Sequence, residues 1–251
     1  MDNWDELERI NVAGTRNVVE ACLRCSVEKL VYFSSIHAYR QEPFDLPLDE
    51  DRPLLTDERI PPYERSKAGA EHLSRQAPEQ GLPTVIIIPT AILGPYDFRP
   101  SYLGQALGLL ARGGIPALVR GGYDWVDVRD VVAGAMQAAH LGRSGSRYIL
   151  SGHWRSLREL ARDTAKVTGK STPCFVVPIW LAELFQPLMA RLAQINGSQP
   201  IYTKAMLNAL RSNRQISHAH ATCDLGYAPR PFEQTLKDTL NWFAEQRGEH
   251  P

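Results

Sequence analysis

The chain has 251 residues, of which 43% are hydrophobic and 22% charged, and its formal net charge at pH 7 is zero. This composition is typical of a globular protein that is long enough for one core and a smaller lobe. The overall charge balance gives no electrostatic footprint for nucleic acid or for an anionic membrane. The acidic start of the sequence contains no targeting signal, so we expect a cytoplasmic protein.

The first half of the chain alternates apolar patterns of helical and strand type. Residues 4–25 have helical spacing, and the apolar stretch that follows predicts a short buried strand that ends in two serines. A loop rich in proline and acidic residues leads to a second helix, after which a β-branched run predicts a strand buried on both faces. The corresponding ranges are strand 29–33, loop 40–61, helix 63–76 and strand 84–88.

The second half continues the alternation, with more helix. A capping box at Ser156 and Glu159 predicts the start of one helix, and Asp130 is expected to cap another. Strand and helix in alternation predict an α/β fold with a parallel sheet. The expected elements are a helix through Leu103, Leu107 and Leu110, strands at 115–119, 123–128 and 148–150, and helices after Asp130, at 156–169, 178–194 and 201–210 and around Phe232–Phe243.

The most apolar stretch of the chain is 176–192. Two prolines and several polar or charged residues interrupt it, so it is too short to cross a bilayer and we expect no integral membrane segment. Packing inside a lobe is the favoured interpretation of this stretch, and lying on a membrane surface is the alternative.

Tyr63 and Lys67 are the residues that point most directly to chemistry. They are four positions apart on a predicted helix, so they lie on one face, one turn apart. A neighbouring ammonium favours the phenolate, and we therefore expect Lys67 to lower the pKa of Tyr63. A tyrosine with a pKa nearer to neutral is suited to exchange a proton with a carbonyl or an alcohol.

Further polar residues follow the ends of the predicted strands. In open parallel sheets the chemistry lies beyond the carboxyl ends of the strands. Ser35 follows one strand, with Ser34 as its rival, and Pro89 to Gly94 follow the next. We therefore expect these residues to lie near the helix that carries Tyr63.

Six stretches in a fixed order resemble the extended short-chain dehydrogenase/reductase family, also called the NAD-dependent epimerase/dehydratase family. The resemblance covers essentially the whole chain. It is closest to the dihydroflavonol-reductase-like and 3β-hydroxysteroid-dehydrogenase-like branches. The stretches are Asn11–Val18, Tyr32–Ile36, Tyr63–Lys67, Ile88–Pro95, Val126–Val132 and Leu225–Pro231.

The resemblance implies a role for each matching site residue. Tyr63 would be the general acid/base, and Lys67 would hold the nicotinamide ribose of NAD or NADP. Ser35, or Ser34 in its place, would orient the substrate oxygen. The nicotinamide pocket would be lined by Pro89, Thr90 and Ile92. The implied reaction is hydride transfer to or from a carbonyl or alcohol carbon.

The resemblance also implies a domain division and a contact between subunits. Residues 1–93 and about 126–151 would form a Rossmann-like NAD(P)-binding domain, whereas 94–125 and 152–251 would form a smaller, mainly helical substrate lobe. Members of the family commonly dimerise through the helices that correspond to 4–25 and 63–76, so a homodimer is expected to be possible.

The sequence departs from the family pattern at its start. No glycine-rich phosphate-binding turn follows a strand, and on the order of 80 residues of the family fold have no counterpart. We therefore expect an N-terminally truncated Rossmann-like sheet. One alternative is a non-catalytic remnant that does not bind the dinucleotide alone.

The substrate class is the second open point. Ala91 stands where nucleotide-sugar members of the family usually carry an asparagine, which favours a less polar small-molecule ketone or alcohol. An NDP-sugar epimerase or dehydratase is the alternative. Tyr96, Phe98, Tyr123 and Trp125 are expected either to line the substrate pocket or to form the core of the lobe.

Two further patterns give weaker indications of a functional site. His37 lies two residues after Ser35 and either faces the substrate or bonds to backbone. Cys22 and Cys25 form a single CxxC with no second pair, and the sequence offers no other set of ligands at metal-binding spacing, so we expect no metal site.

Overall fold

The computed structural model describes residues 3–57, 59–99, 101–171, 173, 175–195 and 202–248. Within these residues the α-helices are α1 Trp4–Leu7, α2 Gly14–Arg24, α3 Pro62–Gln76, α4 Tyr102–Ala111, α5 Val128–Leu141, α6 Leu157–Thr168, α7 Ile179–Ile195, α8 Lys204–Ala209, α9 Ala219–Leu225 and α10 Phe232–Gln246. The strands are β1 Leu30–Phe33, β2 Thr84–Pro89, β3 Ala91–Leu93, β4 Ala117–Val119, β5 Gly122–Asp127, β6 Arg147–Leu150, β7 His153–Ser156 and β8 Phe175–Val177.

The chain divides into two units. The first contains Met1–Thr90, Arg129–Ser151 and Asn213–Pro229, and the second contains Ala91–Val128, Gly152–Ser212 and Arg230–Pro251. Residues 213–229, which the sequence analysis assigned to the substrate lobe, group with the first unit. The reason is that α9 packs on β6 and the Tyr227 hydroxyl donates a 2.9 Å hydrogen bond to the Ser151 carbonyl.

The first unit is built on a parallel sheet with the strand order β1-β2-β6. The central strand β2 is buried along its whole length, because it lies between two neighbours and carries a β-branched run that fills both faces. Among the described residues β1 pairs with β2 alone, and Phe33 at its end is 45% exposed. The predicted α/β class with a parallel sheet is confirmed.

A helical layer covers this sheet. A π-helical turn, Glu8–Ala13, joins α1 to α2 and packs on α3, which in turn contacts β2. Pro62 occupies the first turn of α3, where its missing N–H leaves no donor unpaired. Ile10 and Val18 are exposed in the first of the two predicted dimer helices, residues 4–25. The dimer itself stays a prediction.

The second unit has a larger share of helix. Its strands form a mixed sheet, β3-β5-β7, and a separate parallel pair of β4 with β8. The predicted capping box opens α6, since the Ser156 hydroxyl accepts from the Glu159 N–H and the Glu159 carboxylate accepts from the Ser156 N–H. By contrast, α5 begins at Val128, so Asp130 lies in its first turn and not at its cap.

The buried β2 strand provides a direct test of the core. We expect Ile87→Ala to cost about 2–5 kcal/mol in the free energy of unfolding, because Ile87 is fully buried and its removal leaves a cavity. The matched control is Ile92→Ala in β3, where the side chain is 39% exposed and the cost should stay within about 0.5 kcal/mol. Urea unfolding of both variants measures the difference, and equal costs would contradict this arrangement of the core.

Candidate active site

Two loops of the first unit meet at one edge of its sheet. Ser34 and Ser35 follow β1, and Thr90 follows β2, and parallel strands bring these carboxyl ends to the same edge. The Ser34 N–H donates to the Ile87 carbonyl at 2.8 Å, and the Thr90 N–H donates to the Leu150 carbonyl at 3.3 Å. Ser35 and Thr90 are both buried. The sheet thus brings Ser35 and the Pro89–Thr90 turn together, as the sequence predicts.

The two adjacent serines have different partners. The Ser34 hydroxyl donates a short hydrogen bond to the Glu71 carboxylate of α3. The Ser35 hydroxyl lies close enough to the Tyr63 phenol to lower the pKa of Tyr63, and it accepts the His37 N–H at 3.3 Å, which caps a short 3-10 turn at Ile36–Ala38. The serine beside Tyr63 is therefore Ser35, because the Ser34 hydroxyl is committed to Glu71.

Glu71 is fully buried and holds this edge of the unit together. Besides Ser34, its carboxylate accepts from the Tyr39 hydroxyl at 2.5 Å and from the Arg75 guanidinium at 2.7 and 3.0 Å. Arg75 also donates to the Tyr39 hydroxyl at 3.0 Å. A buried carboxylate needs this many partners because an isolated buried charge is very costly. The sequence analysis did not single out Glu71 or Arg75, because their spacing is that of any i,i+4 pair on a helix.

Tyr63 and Lys67 lie one turn apart on α3, as predicted, but their electrostatics differ from the prediction. Although 37% of the Tyr63 surface is exposed, desolvation raises the pKa of its phenol, the neighbouring Ser35 hydroxyl lowers the pKa in part, and the Glu64 carboxylate raises it further. Lys67 is not among the groups that shift the Tyr63 pKa. Burial lowers the pKa of the Lys67 ammonium itself. Desolvation therefore outweighs the charge effect expected from the sequence.

Contacts with the N-terminal helical segment hold the first turn of α3, which carries Tyr63. The Ser66 hydroxyl donates to the Tyr63 carbonyl at 2.8 Å and accepts from the Asn11 side-chain amide at 2.9 Å. Asn11 lies in the π-helical turn, a feature often found at functional sites. The Arg65 guanidinium lies 3.7 Å above the Trp4 ring. The N-terminal helical segment therefore positions the first turn of α3.

The other predicted site residues are divided between the units. Pro89 and Thr90 end β2 in the first unit, whereas Ile92 lies in β3 of the second unit with 39% of its surface exposed. Among the described residues, no cluster of three or more histidine, cysteine, aspartate or glutamate side chains is suited to a metal ion.

The structure separates the four candidate aromatic residues into two pairs. Tyr123 and Trp125 are buried in the core of the second unit. Tyr96 and Phe98 are exposed and stand edge-on to the Trp242 ring, at centroid distances of 6.4 and 5.3 Å. Tyr96 also adopts a left-handed backbone with φ of 74°, which is uncommon for a bulky residue. Only Tyr96 and Phe98 are therefore exposed enough to contact a ligand.

The residues around Tyr63 fit the ribose end of a nicotinamide cofactor. Within the part of the chain that the structure describes, the partly buried Lys67 ammonium makes no hydrogen bond or ion pair. A desolvated ammonium without a partner favours ligand oxygens that accept its protons. Such acceptors are the hydroxyls of a ribose.

Comparison with known proteins establishes the family. Residues 1–150 match the model of the "NAD dependent epimerase/dehydratase family". The chain therefore belongs to the NAD-dependent epimerase/dehydratase family, which is a family of enzymes. This membership confirms the family that the sequence motifs predicted.

Two curated proteins and one solved structure illustrate the likeness. The chain is 30% identical over 243 residues to a putative dihydroflavonol 4-reductase of Synechocystis sp., covering 95% of this chain and 71% of that protein. It is 30% identical over 245 residues to sterol demethylase protein B of Methylococcus capsulatus, covering 96% and 74%. The crystal structure of gox2253 superposes with a TM-score of 0.82 at 32% identity, covering all of this chain and 76% of that one.

These similarities confirm two predictions. The likeness to dihydroflavonol reductases holds, and a 3β-hydroxysteroid dehydrogenase/decarboxylase is also among the similar proteins. The Rossmann-like α/β fold class is confirmed by the structural similarity.

Two titrating groups flank the site and act on stability in opposite directions. Burial lowers the pKa of His37 to about 4, so its contribution to stability is complete above the unfolded value of about 6.5 and is lost as the pH falls toward 4. Burial raises the pKa of Glu64 to about 7, so its contribution is complete below about 4.5 and is lost as the pH rises toward 7. The two effects offset each other between about pH 4.5 and 6.5.

Single substitutions should expose each effect. Relative to the unsubstituted chain, we expect the free energy of unfolding of Glu64→Gln to rise more steeply with pH between 4.5 and 6.5, by up to about 3 kcal/mol, because the opposing Glu64 effect is removed. In His37→Asn it should fall by a similar amount relative to the unsubstituted chain over the same range, because the His37 effect is removed. Urea titrations of all three proteins at four pH values measure the slopes. Changes of slope with the same sign in the two variants would contradict the burial of these groups.

Proposed function

We propose that this chain carries the proton-transfer site of an NAD(P)-dependent oxidoreductase that acts on a carbonyl or alcohol carbon. The observation that carries the proposal is that the Ser35 hydroxyl neighbours the Tyr63 phenol and lowers its pKa, with Lys67 one helical turn away on the same helix. These are the groups needed to orient a substrate oxygen and to move its proton.

Tyr63 is the general acid/base of the proposed reaction. Its raised pKa keeps the phenol protonated at neutral pH, so in the direction of reduction it donates a proton to the substrate oxygen. Ser35 hydrogen-bonds the same oxygen and orients it, a task that Ser34 does not share because Glu71 occupies its hydroxyl. In the direction of oxidation, Tyr63 accepts the proton from the alcohol.

Lys67 holds the cofactor in this proposal. Its ammonium donates to the hydroxyls of the nicotinamide ribose, for which it has no competing partner among the described residues. Pro89 and Thr90 line the nicotinamide end of the site in this proposal, and the same role for Ile92 stays a prediction. NAD or NADP, when bound, supplies or accepts the hydride. A ribose-bound ammonium close to the phenol also favours the phenolate, which helps proton release during turnover.

We propose a weakly polar ketone or alcohol as the substrate. Ala91 offers no side-chain amide to a diphosphate, and the names of the two curated relatives refer to a dihydroflavonol and a sterol. The exposed rings of Tyr96 and Phe98 are suited to a flat, apolar molecule. A nucleotide sugar is the competing class.

Cofactor titration tests the proposal first. We expect NADH or NADPH to bind the chain, with Lys67→Ala weakening the affinity at least roughly tenfold, because a charged hydrogen-bond donor is lost. Tyr63→Phe should retain cofactor binding and lower turnover roughly 10²–10⁴-fold, because it removes only the hydroxyl that transfers the proton. Cofactor fluorescence measures binding. Absence of binding at millimolar cofactor would contradict the proposal for this chain.

The adjacent serines give a matched pair of variants for the catalytic step. We expect Ser35→Ala to lower turnover roughly 10²-fold, because its hydroxyl acts on the substrate oxygen, and to cost no more than about 1 kcal/mol of stability for the lost cap of the 3-10 turn. Ser34→Ala should cost about 1–3 kcal/mol of stability, because the buried Glu71 loses a partner, while the folded enzyme keeps its turnover.

Turnover is measured with a flavanone-type ketone, a 3-ketosteroid and a UDP-sugar in parallel. The reverse assignment of the two serines, with Ser34→Ala inactive and Ser35→Ala unstable, would contradict the geometry. Turnover of the UDP-sugar alone would identify the competing substrate class.

A further inference from the structure

Helix α7 has an unusual exposed face. A surface helix ordinarily turns its apolar side inward and its polar side toward water. In α7 the outward side is apolar, and each of its five large side chains is at least 51% exposed. These side chains are Trp180, Leu184, Phe185, Leu188 and Met189.

The inward side of α7 has fewer large apolar residues than the outward side, and it includes a charged residue. Ile179 and Ala182 pack against the core of the second unit, and Glu183 pairs with Arg211 at 2.9 Å. These contacts fix the rotation of the helix, so the apolar face cannot turn inward without breaking them.

Strand β8 extends the same apolar character along the chain. It precedes α7 and pairs with β4, and the Arg120 N–H donates to the Val177 carbonyl at 2.8 Å. Phe175 is 72% exposed, and Val176 is also exposed. Seven large apolar residues within fifteen positions are therefore open to solvent, far more than the scattered apolar residues of an ordinary surface.

The charge around this segment is strongly one-sided, although the whole chain is neutral. Between residues 170 and 223 the sequence contains five basic residues and a single acidic one, Glu183. The basic residues are Lys170, Arg191, Lys204, Arg211 and Arg214. Lys170 and Arg191, which flank the apolar face in sequence, are exposed. Arg211 pairs with Glu183 and Arg214 also has a partner, so the argument for an anionic partner rests on the exposed Lys170 and Arg191.

We propose that β8 and α7 form an interfacial surface that binds an anionic lipid bilayer. A helix with tryptophan, phenylalanine and leucine on one face and nearby cations is the usual form of a segment that lies in the membrane interface. Among the described residues no helix has the length and apolar character needed to cross a bilayer. The surface therefore lies on the membrane and does not span it.

Charge favours a lipid surface over a second copy of the chain. A symmetric dimer through this face would place the cationic flanks of one copy against those of the other. An anionic headgroup layer instead neutralises Lys170 and Arg191 while the apolar side chains enter the acyl boundary.

Vesicle flotation tests the proposal with the intact chain. We expect binding to phosphatidylcholine vesicles that contain phosphatidylglycerol, and much weaker binding without it. Leu184→Gln/Leu188→Gln should reduce partitioning roughly tenfold or more, because two apolar side chains that would enter the acyl boundary are lost. Lys170→Gln/Arg191→Gln should reduce it roughly fivefold per charge at low salt and less at high salt.

The matched control is Val132→Gln/Met136→Gln on α5. These two side chains are also exposed, apolar and one helical turn apart, but they lie outside the proposed surface, so vesicle binding should not change. Tryptophan emission supplies a second readout. Vesicles should shift it to shorter wavelength in the unsubstituted chain, and the shift should disappear in Trp180→Phe.

Three results would overturn the proposal. The first is equal flotation of the α7 variant and the unsubstituted chain. The second is an equal loss of flotation in the α5 control. The third is a concentration-dependent dimer that Leu184→Gln/Leu188→Gln abolishes, with no vesicle binding by the unsubstituted chain. Circular dichroism of each variant verifies folding, and none of these results depends on cofactor binding.

Discussion

The hydrogen-bonded, buried carboxylate of Glu71 is the interaction on which the proposed catalytic edge of the first unit depends. Its charge lies on α3 beneath the loop that leaves β1, and it is stable there only because Ser34, Tyr39 and Arg75 all donate to it. Those hydrogen bonds join the sheet edge to the helix. They also leave Ser35, with its backbone extended, as the serine that reaches Tyr63.

This arrangement determines the acid–base character of the site. Desolvation raises the pKa of Tyr63, although the residue is 37% exposed, and the phenol therefore stays protonated at neutral pH. Lys67 is desolvated as well, which lowers its pKa and leaves an ammonium without competing partners among the described residues. The charge effect of Lys67 on Tyr63 is thus small in this state. A ligand that orders the ammonium beside the phenol would increase it.

The sequence predicted the parts of the site that depend on spacing. Two residues four positions apart on a helix share a face, and residues after parallel strands share an edge, so Tyr63, Lys67, Ser35 and Pro89 were placed from pattern alone. The sequence did not predict Glu71, because burial of one helical acid depends on the tertiary fold. The choice between Ser34 and Ser35 was undecided for the same reason. Only the hydrogen bond from Ser34 to Glu71, which the fold creates, leaves Ser35 as the serine beside Tyr63.

The same distinction applies to the fold: elements set by local sequence were predicted, and those set by tertiary contacts were not. Long periodic segments such as β2 and α3 were predicted within one or two residues. Short strands such as β3 and β8 were missed, because three residues carry too little periodicity and their pairing partners are distant in sequence. Residues 213–229 group with the first unit through contacts of α9 and Tyr227 that the order of elements does not reveal.

Helix α7 has a local charge and an exposed apolar face that the net charge and composition of the whole chain do not reveal. The zero net charge of the chain argued against an anionic membrane, yet the cations of residues 170–223 are offset by acids that lie elsewhere in the sequence. Apolar content alone also favoured packing inside the lobe, because hydropathy does not state which side of a helix faces the core. The contacts of Ile179, Ala182 and Glu183 fix that side, and they leave Trp180 and Leu184 facing outward. An apolar face held outward beside exposed cations has the two properties that interfacial binding requires, and neither is visible in the composition of the whole chain.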